Sequence, residues 1–257
     1  MQCREPRVCA SLVVCVLVIA ACLALTAVPG ESGERATATD PGASSAASPK
    51  APLAGTACPE PAAVVQRLQA RYDTTKAFRA DFTQLTTVAA LGESEEARGT
   101  VAFKKPGKMR WDYRAPQEQL IVSDGTTLWI YQPAERQVLM APFKAAFVST
   151  TPVSFLAGVG RISDDFRPER DTRGCSAGRI YVKLVPKNAQ DLGSLSFAVD
   201  PATFDIVEAA VTDPIGNVTA LGFANVARNV DIPDGEFHFE VPAGVDVVGA
   251  PAAAPLP

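Results

Sequence analysis

Residues 101–131 read VAFKKPGKMRWDYRAPQEQLIVSDGTTLWIY, and the rest of the fold can be worked out from this stretch. In its first half, apolar and charged residues alternate with a period of two. The apolar ones are Met109, Trp111 and Tyr113, and the charged ones are Lys108, Arg110, Asp112 and Arg114. Such alternation is typical of a β-strand with one buried and one solvated face. The stretch therefore predicts a half-buried strand.

Turn signals on both sides of this strand predict its neighbours. Lys105-Pro106-Gly107 places a residue of fixed φ beside a permissive one, so we expect the chain to reverse there. Ala115-Pro116 disfavours helix and opens a connection. Ser123-Asp124-Gly125-Thr126 lies between the apolar runs Leu120 to Val122 and Leu128 to Tyr131, and Asp-Gly between such runs is a strong hairpin signal. Four consecutive antiparallel strands are predicted.

Composition excludes several classes of function. The chain has 257 residues, a net charge of -4 and a pI near 5.2, so it offers no basic surface for nucleic acid. Its one histidine, His238, lies in the alternating run Phe237-His238-Phe239, which predicts an outward-facing strand residue. Asp164-Asp165 is interpreted as a solvated turn. We find no constellation of nucleophile, base or metal ligands, so neither catalysis, nor a metal, nor a cofactor is expected.

The first 28 residues have the features of an export signal or anchor. Arg4 and Arg7 precede an uncharged apolar run from Val8 to Leu25. Ile19-Ala20-Ala21-Cys22 resembles a bacterial lipoprotein processing site, which would make Cys22 a lipidation site and a membrane tether. Cleavage after Gly30 and an uncleaved membrane anchor are the alternatives, since the run is close to the ~20 residues of a span. The mature protein is therefore expected to work outside the cytoplasm.

The remaining boundaries follow from composition. Residues 29–57 are mostly Ala, Ser, Thr, Gly and Pro, which predicts a disordered linker. A folded domain is predicted over 58–248, and a disordered tail of Ala and Pro over 249–257. Cys58 and Cys175 are the cysteines of this domain, and an exported domain is expected to pair them. That bridge would tie the start of the first helix to the middle of the sheet.

Periodicity predicts two helical regions and further strands. The first helix begins at Pro61, and its apolar residues are Ala62, Val65, Leu68 and Tyr72. Phe143, Ala146 and Phe147 have helical spacing, and Thr151-Pro152 predicts another helix that ends near Gly158 and Gly160. The predicted strands outside the central stretch are Phe78 to Leu91, Arg98 to Lys104, Gln137 to Ala141, Arg179 to Val185, Leu195 to Asp200, Ile206 to Thr212, Val218 to Val226 and Phe237 to Val241.

Several motifs recur in an order that resembles one known family, the outer-membrane lipoprotein carrier (LolA) family. The resemblance covers about Pro59 to Val248. It rests on the first helix followed by Phe78-Arg79-Ala80-Asp81-Phe82-Thr83-Gln84, Gly99, Lys104-Lys105-Pro106-Gly107-Lys108-Met109-Arg110-Trp111, Ile121-Val122-Ser123-Asp124-Gly125-Thr126-Thr127-Leu128-Trp129-Ile130-Tyr131, Gln137-Val138 and Thr151-Pro152.

The resemblance implies a fold and a function. The fold is mainly β, an unclosed antiparallel half-barrel covered by short helices that form a lid over an apolar cavity for acyl chains. The function is a periplasmic carrier, monomeric, that accepts lipoproteins from an inner-membrane lipoprotein-releasing ABC transporter and delivers them to an outer-membrane acceptor. A related half-barrel serves as a membrane-tethered sensor of envelope stress, which is the alternative.

The resemblance also implies roles for individual residues. Trp111 matches a family aromatic of the cavity, and Phe155 and Leu156 match the apolar lid. At the position of Lys105 the family typically has an arginine that hydrogen-bonds to the lid, so Lys105 is the candidate latch, although an ammonium lacks the donor fork of arginine. The other residues expected to contact acyl chains are Leu68, Phe82, Phe103, Met109, Leu120 and Val122.

Overall fold

The computed structural model describes residues 58–146, 161–187 and 193–249. The predicted export segment 1–28, with Cys22, the linker 29–57 and all but the first residue of the tail 249–257 lie outside these ranges. The predicted helix after Thr151-Pro152, with Phe155 and Leu156, lies outside them as well.

The described residues form twelve strands, three short α-helices and one 3-10 helix. In chain order these are α1 (Pro61–Asp73), β1 (Ala77–Val88), β2 (Glu93–Lys104), β3 (Lys108–Ala115), β4 (Gln119–Asp124), β5 (Thr127–Gln132), β6 (Gln137–Pro142), α2 (Phe143–Ala146), α3 (Ile162–Asp165), β7 (Phe166–Ser176), β8 (Arg179–Pro186), β9 (Ser194–Val199), β10 (Ile206–Thr212), β11 (Val218–Arg228), the 3-10 helix (Asp234–Phe237) and β12 (Asp246–Val248).

All twelve strands belong to one sheet, in the order β12-β6-β5-β4-β3-β2-β1-β11-β10-β9-β8-β7. Neighbouring strands are antiparallel except β12 and β6, which are parallel. Because β12 and β7 are separate edges, the sheet does not close on itself. The predicted fold class, an unclosed antiparallel half-barrel with few helices, is confirmed.

The central stretch folds as its sequence predicts. Met109, Trp111 and Tyr113 are buried on one face of β3, and the residues between them are more exposed. The chain reverses at residues 105–107, between β2 and β3, and again between β4 and β5. In the second reversal the Asp124 carboxylate accepts hydrogen bonds from the backbone N–H groups of Thr126 and Thr127, at 2.7 and 2.8 Å. These local hydrogen bonds explain why Asp-Gly predicts a reversal of the chain at this position.

Two predictions about the rest of the chain are wrong, and one strand was missed. Phe237 to Val241 is not a strand: Phe237 ends the 3-10 helix, His238 is exposed, and the following residues carry no strand up to β12. Asp164-Asp165 ends α3 instead of forming a turn. Strand β7 was not predicted, because its run of charged residues has no alternation and a register shift interrupts it. An edge strand has one free side, so charge there is tolerated.

The two faces of the sheet are covered by different parts of the chain. We call the face that carries Trp111 the inner face, and there α1 packs against the sheet with Val64, Val65, Leu68 and Tyr72. The opposite, outer face is crossed by the segment after β11, whose Ile232 and Phe237 pack on Ala77 and Ala102. The ligand site is therefore expected on the inner face, beneath α1.

Candidate functional site

Five aromatic rings gather on the inner face of β1, β2 and β3. Phe78 stacks on Phe103 with the ring centroids 4.9 Å apart, and Phe103 meets Trp111 edge-on at 5.8 Å. Phe82 contacts Trp111 at 4.9 Å and Tyr113 at 4.8 Å, both edge to face. Such edge-on contacts are favourable because the positive ring edge meets the negative ring face. The cluster is a continuous apolar surface three strands wide.

Gly99 lets the rings of Phe82 and Tyr113 meet. It lies in β2, paired with Phe82 on one side and Tyr113 on the other. A Cβ at this position would stand 1.9 Å from the Asp112 carbonyl oxygen and 2.9 Å from the Phe82 ring. Glycine is thus required here by close approach, and any side chain would push the two rings apart.

Helix α1 is held at its N-terminal end by covalent and ionic contacts. Cys58 and Cys175 form a disulfide, as the sequence predicts, with the Cα atoms 5.6 Å apart. Glu60 and Arg170 make an ion pair at 2.8 Å next to it. The predicted position of the bridge is wrong in one respect: Cys175 belongs to β7, the edge strand, and not to the middle of the sheet.

Two further contacts hold the C-terminal end of α1. The Lys105 ammonium donates a hydrogen bond to the backbone carbonyl of Tyr72 in the last turn of the helix. Arg71 pairs with Asp205 at 3.1 Å, and Asp205 also pairs with Arg228 of β11. The lysine thus makes the contact to helix α1 that the sequence suggested for a latch.

Burial shifts the pKa values of the groups around this contact. Desolvation lowers the pKa of Lys105 from its ordinary value, and the negative charge of Asp73 opposes that shift. Burial raises the pKa of Tyr72 to about 12, against hydrogen bonding to Ile206 and the charges of Arg228 and Arg71. The tyrosine is therefore neutral at physiological pH.

Most of the predicted cargo-binding residues lie together in the described structure. The five that share the inner-face core are Leu68, Phe82, Phe103, Met109 and Trp111, each 3% exposed or less. Phe155 and Leu156 lie outside the described residues. The remaining two, Leu120 and Val122, do not face this core.

Strand β4 presents the opposite residues to the site from those we named. Trp111 pairs with Ile121, which shares the inner face, so Leu120 and Val122 point to the outer face. The sequence alone did not predict which alternate residues of β4 face inward, because the connection between β3 and β4 does not determine the register of the two strands. Ile121 and, in β5, Leu128 and Ile130 are among the inner-face residues that sequence reasoning missed. The Asp-Gly hairpin predicts which residues of β4 and β5 share a face. It does not predict which of the two faces continues the inner face of β3.

The outer face has its own features. Trp129 lies there, 6.3 Å from the ring of Phe239, so the two tryptophans of the chain are on opposite faces. A cavity of ≈ 590 Å³ also opens on this face, and Arg79 and Arg110 line it. Both arginines are already paired, with Glu236 at 2.7 Å and with Asp112 at 2.8 Å. This cavity lies across the sheet from the aromatic cluster, although Tyr113 borders it.

The described residues contain neither a metal-binding cluster nor a membrane-spanning helix. In residues 58–146, 161–187 and 193–249 there is no group of three or more His, Cys, Asp or Glu residues that could hold a metal ion. The helices in these ranges are too short or too polar to cross a membrane.

The chain thus belongs to the class of half-barrels with a covered interior, because one helix crosses the apolar inner face of its open antiparallel sheet. The chain belongs to the family of the outer membrane lipoprotein carrier protein LolA, whose family model matches residues 73–240. An outer-membrane lipoprotein carrier protein of Methylobacillus flagellatus is 35% identical over 185 residues, which is 72% of this chain and 88% of that one. The protein of that name from Chromobacterium violaceum is 36% identical over 195 residues, 76% of this chain and 92% of that one.

Solved structures similar to this chain share little sequence with it. A LolA superfamily protein from Nitrosomonas europaea is 13% identical with a TM-score of 0.40, over 70% of this chain and 97% of that one. The complex of MucA and MucB from Pseudomonas aeruginosa gives 12% identity and a TM-score of 0.40, over 73% of this chain and 63% of that one.

Proposed function

We propose that this protein is a periplasmic carrier that binds the acyl chains of lipoproteins on its inner face and moves them from the inner to the outer membrane. The observation that carries the proposal is the continuous aromatic cluster of Phe82, Phe103 and Trp111 on the inner face, which shares one core with the apolar residues of α1, in a member of the LolA family. The names of the related proteins favour a carrier over the tethered sensor.

The binding energy of such a carrier must be limited. Burying acyl chains contributes about 0.8 kcal/mol per CH₂, so full burial of two or three chains would gain tens of kcal/mol and prevent release. Here Leu68, Phe103 and Trp111 are already at most 2% exposed. A ligand has to separate these packed side chains, and their lost contacts offset part of the gain.

The part that moves is constrained by the contacts of α1. Its N-terminal end is held by the disulfide, whereas at its C-terminal end the Lys105 contact can break without covalent change. We therefore propose that Lys105 acts as the latch, and that Phe155 and Leu156 belong to the segment that leaves the inner face when acyl chains enter. Transfer then follows the difference in affinity between carrier and acceptor, with no bond broken.

A carrier needs a donor and an acceptor, and we propose both. The donor is an inner-membrane lipoprotein-releasing ABC transporter, the acceptor is an outer-membrane lipoprotein receptor, and the carrier acts as a monomer. Lipidation of Cys22 would tether the domain to a membrane through the linker 29–57.

The experiment uses the two tryptophans as separate reporters. Titrating the protein with a triacylated lipopeptide, below its aggregation concentration, is expected to give a saturable change in fluorescence. Trp111→Leu should abolish this change, because Trp111 is the tryptophan on the inner face. Trp129→Phe should retain it, because Trp129 lies on the outer face.

Hydrogen exchange provides a second measurement. Lipopeptide should increase exchange in the segment around Phe155 if this segment acts as the proposed lid. If neither fluorescence nor exchange responds, the carrier function is refuted and a protein-binding sensor becomes the better explanation.

A further inference from the structure

The inner face changes from apolar to polar along the strands. At the end near Lys105, β2 and β3 present Phe103 and Met109, and Trp111 follows one step further along β3. One more step brings Tyr113, which is opposite Gln119 of β4. Neighbouring strands also carry polar side chains on the inner face next to Tyr113 and Gln119. We call this set the polar row, and its members are Gln84, Tyr113, Gln119, Gln132 and Gln137.

Register and hydrogen bonds establish that the polar row is continuous. The Tyr113 hydroxyl donates to Gln84 Oε1 at 2.9 Å, across Gly99 of the intervening strand. The pairing of β4 with β5 brings Gln132 next to Gln119, and Gln132 pairs directly with Gln137. Five neutral hydrogen-bonding groups thus follow one another over β1 to β6.

Two members of the polar row are buried, and the three glutamines of β4, β5 and β6 are partly buried. Gln84 is 2% exposed and Tyr113 is 6% exposed, although both are polar. Burial raises the pKa of the Tyr113 phenol above its usual range, so the group stays a neutral hydrogen-bond donor. Gln84 Nε2 is 3.3 Å from Thr86 Oγ1, which extends the row by one hydroxyl.

One atom of the polar row has no partner within the described part of the chain. Gln119 Oε1 is buried there without any hydrogen bond. A buried polar atom of this kind costs about 1–3 kcal/mol relative to a satisfied one, so it calls for a partner from elsewhere. Gln119, Gln132 and Gln137 are only partly buried, so a bound group can reach them.

We propose that the polar row binds the uncharged amide and ester groups from which the acyl chains of an acylated polypeptide extend. This inference rests on the proposed function and adds the orientation and head-group class of the cargo. Each glutamine offers both donors for ester or amide carbonyls and an acceptor for the N–H of an acyl amide. The acyl chains then extend from the polar row toward Trp111 and Phe103.

The same chemistry disfavours phospholipids. Their phosphate carries a negative charge, and burying it without a paired cation is costly. The polar row is neutral, and the nearest charge on the inner face of β2 is Glu95, which pairs with Thr86 and is itself negative. The arginines of the outer-face cavity, Arg79 and Arg110, are already paired with Glu236 and Asp112. The row therefore selects acylated polypeptides over phospholipids that have the same chains.

The test compares two lipids on the full-length protein. An uncharged apolar dye, N-phenylnaphthylamine, reports the apolar part of the inner face, and it is displaced either by triacylated lipopeptide or by phosphatidylglycerol with chains of equal length. The wild type is expected to prefer the lipopeptide by about tenfold. Gln119→Leu should lower lipopeptide affinity about fivefold and leave dye affinity unchanged, because one hydrogen bond is lost and the apolar surface is kept.

Three further variants sharpen the test. Gln132→Leu removes a neighbouring amide of the polar row and should also lower lipopeptide affinity. Gln119→Lys should raise the affinity for phosphatidylglycerol, because it supplies a cation. Gln66→Leu is the matched control, because Gln66 lies on the exposed side of α1. This variant should bind both lipids as the wild type does.

The outcomes separate the two proposals. If the wild type binds neither dye nor lipopeptide, the acyl-carrier function fails and this inference with it. If the dye binds but the wild type takes both lipids equally, or the Gln119 and Gln132 variants keep the wild-type preference, the role of the polar row is overturned while the carrier function stands.

Discussion

Lys105 is a single side chain that joins the β2–β3 turn to the last turn of α1. Its ammonium donates to the Tyr72 carbonyl, and burial lowers its pKa, so the contact is made at some cost in desolvation. Because this cost offsets part of the gain from the hydrogen bond, the contact is suited to opening. An arginine would hold several acceptors at once and would open less easily.

Replacing this lysine should therefore change transfer more than stability. We expect Lys105→Leu to alter the rate of lipoprotein transfer to acceptor membranes and to change the free energy of unfolding by no more than about 1 kcal/mol. Thermal unfolding and a transfer assay measure the two effects. Lys183→Leu, on the outer side of β8, is the matched control. A transfer rate equal to that of the wild type would remove Lys105 from the mechanism.

At the scale of elements, the segment after β11 supports the face that the ligand does not use. Ile232 and Phe237 are at most 1% exposed against the outer side of β1 and β2. Asp234 pairs with Lys104 and Lys108 at 2.7 and 2.8 Å, and these two lysines lower the pKa of its carboxyl to about 2. The segment covers the outer side of β1 and β2 at Ala77 and Ala102, and its Glu236 borders the outer-face cavity.

Truncating the side chain that anchors this segment should destabilise the whole sheet. Phe237→Ala is expected to cost about 3–5 kcal/mol, because it removes a buried aromatic and leaves a cavity. His238→Ala is the neighbouring control and should cost about 0.5 kcal/mol or less, because His238 is exposed. Denaturant unfolding measures both. Equal midpoints for the two variants would show that the segment does not contribute to the stability of the fold.

Elements with strong local signals could be predicted from the sequence, and elements defined by distant contacts could not. Trp111 and Met109 were placed correctly because alternation in β3 is a property of the strand itself. The faces of Leu120 and Val122 depend on the pairing of β3 with β4, which no local pattern encodes. Phe237 was misplaced for a related reason: its burial comes from the outer face of β1 and β2.

The bridge between Cys58 and Cys175 links an element to the distant edge of the sheet. It closes a loop with a sequence separation of 117, for which the chain-entropy model gives about 4–5 kcal/mol of stabilisation. We expect Cys58→Ser to lower the unfolding midpoint as much as reductant lowers that of the wild type. Reductant should not affect the variant further. A wild-type midpoint that is insensitive to reductant would contradict this.

At the scale of the whole molecule, the sheet separates two tasks. The inner face brings together the aromatic cluster and the polar row, and α1 crosses it with one covalent end and one hydrogen-bonded end. The outer face holds Trp129 and the C-terminal segment. Cargo can therefore be taken up and released on one side without unfolding the other, as a carrier that is used repeatedly requires.

How this domain reaches its site of action depends on residues that precede it. If Ile19-Ala20-Ala21-Cys22 is a lipoprotein processing site, cells grown with a radioactive fatty acid should label the wild-type protein and not Cys22→Ser, which should also be processed poorly. Cys15→Ser is the matched control, since Cys15 lies in the same apolar run outside the processing motif, and it should be labelled normally. A mature N-terminus at Glu31 would show ordinary cleavage after Gly30 and a carrier that is free to diffuse. A lipidated Cys22 would instead restrict transfer to the distance that the linker 29–57 can span, because a flexible chain of n residues has a mean reach of about 5–6 Å × √n.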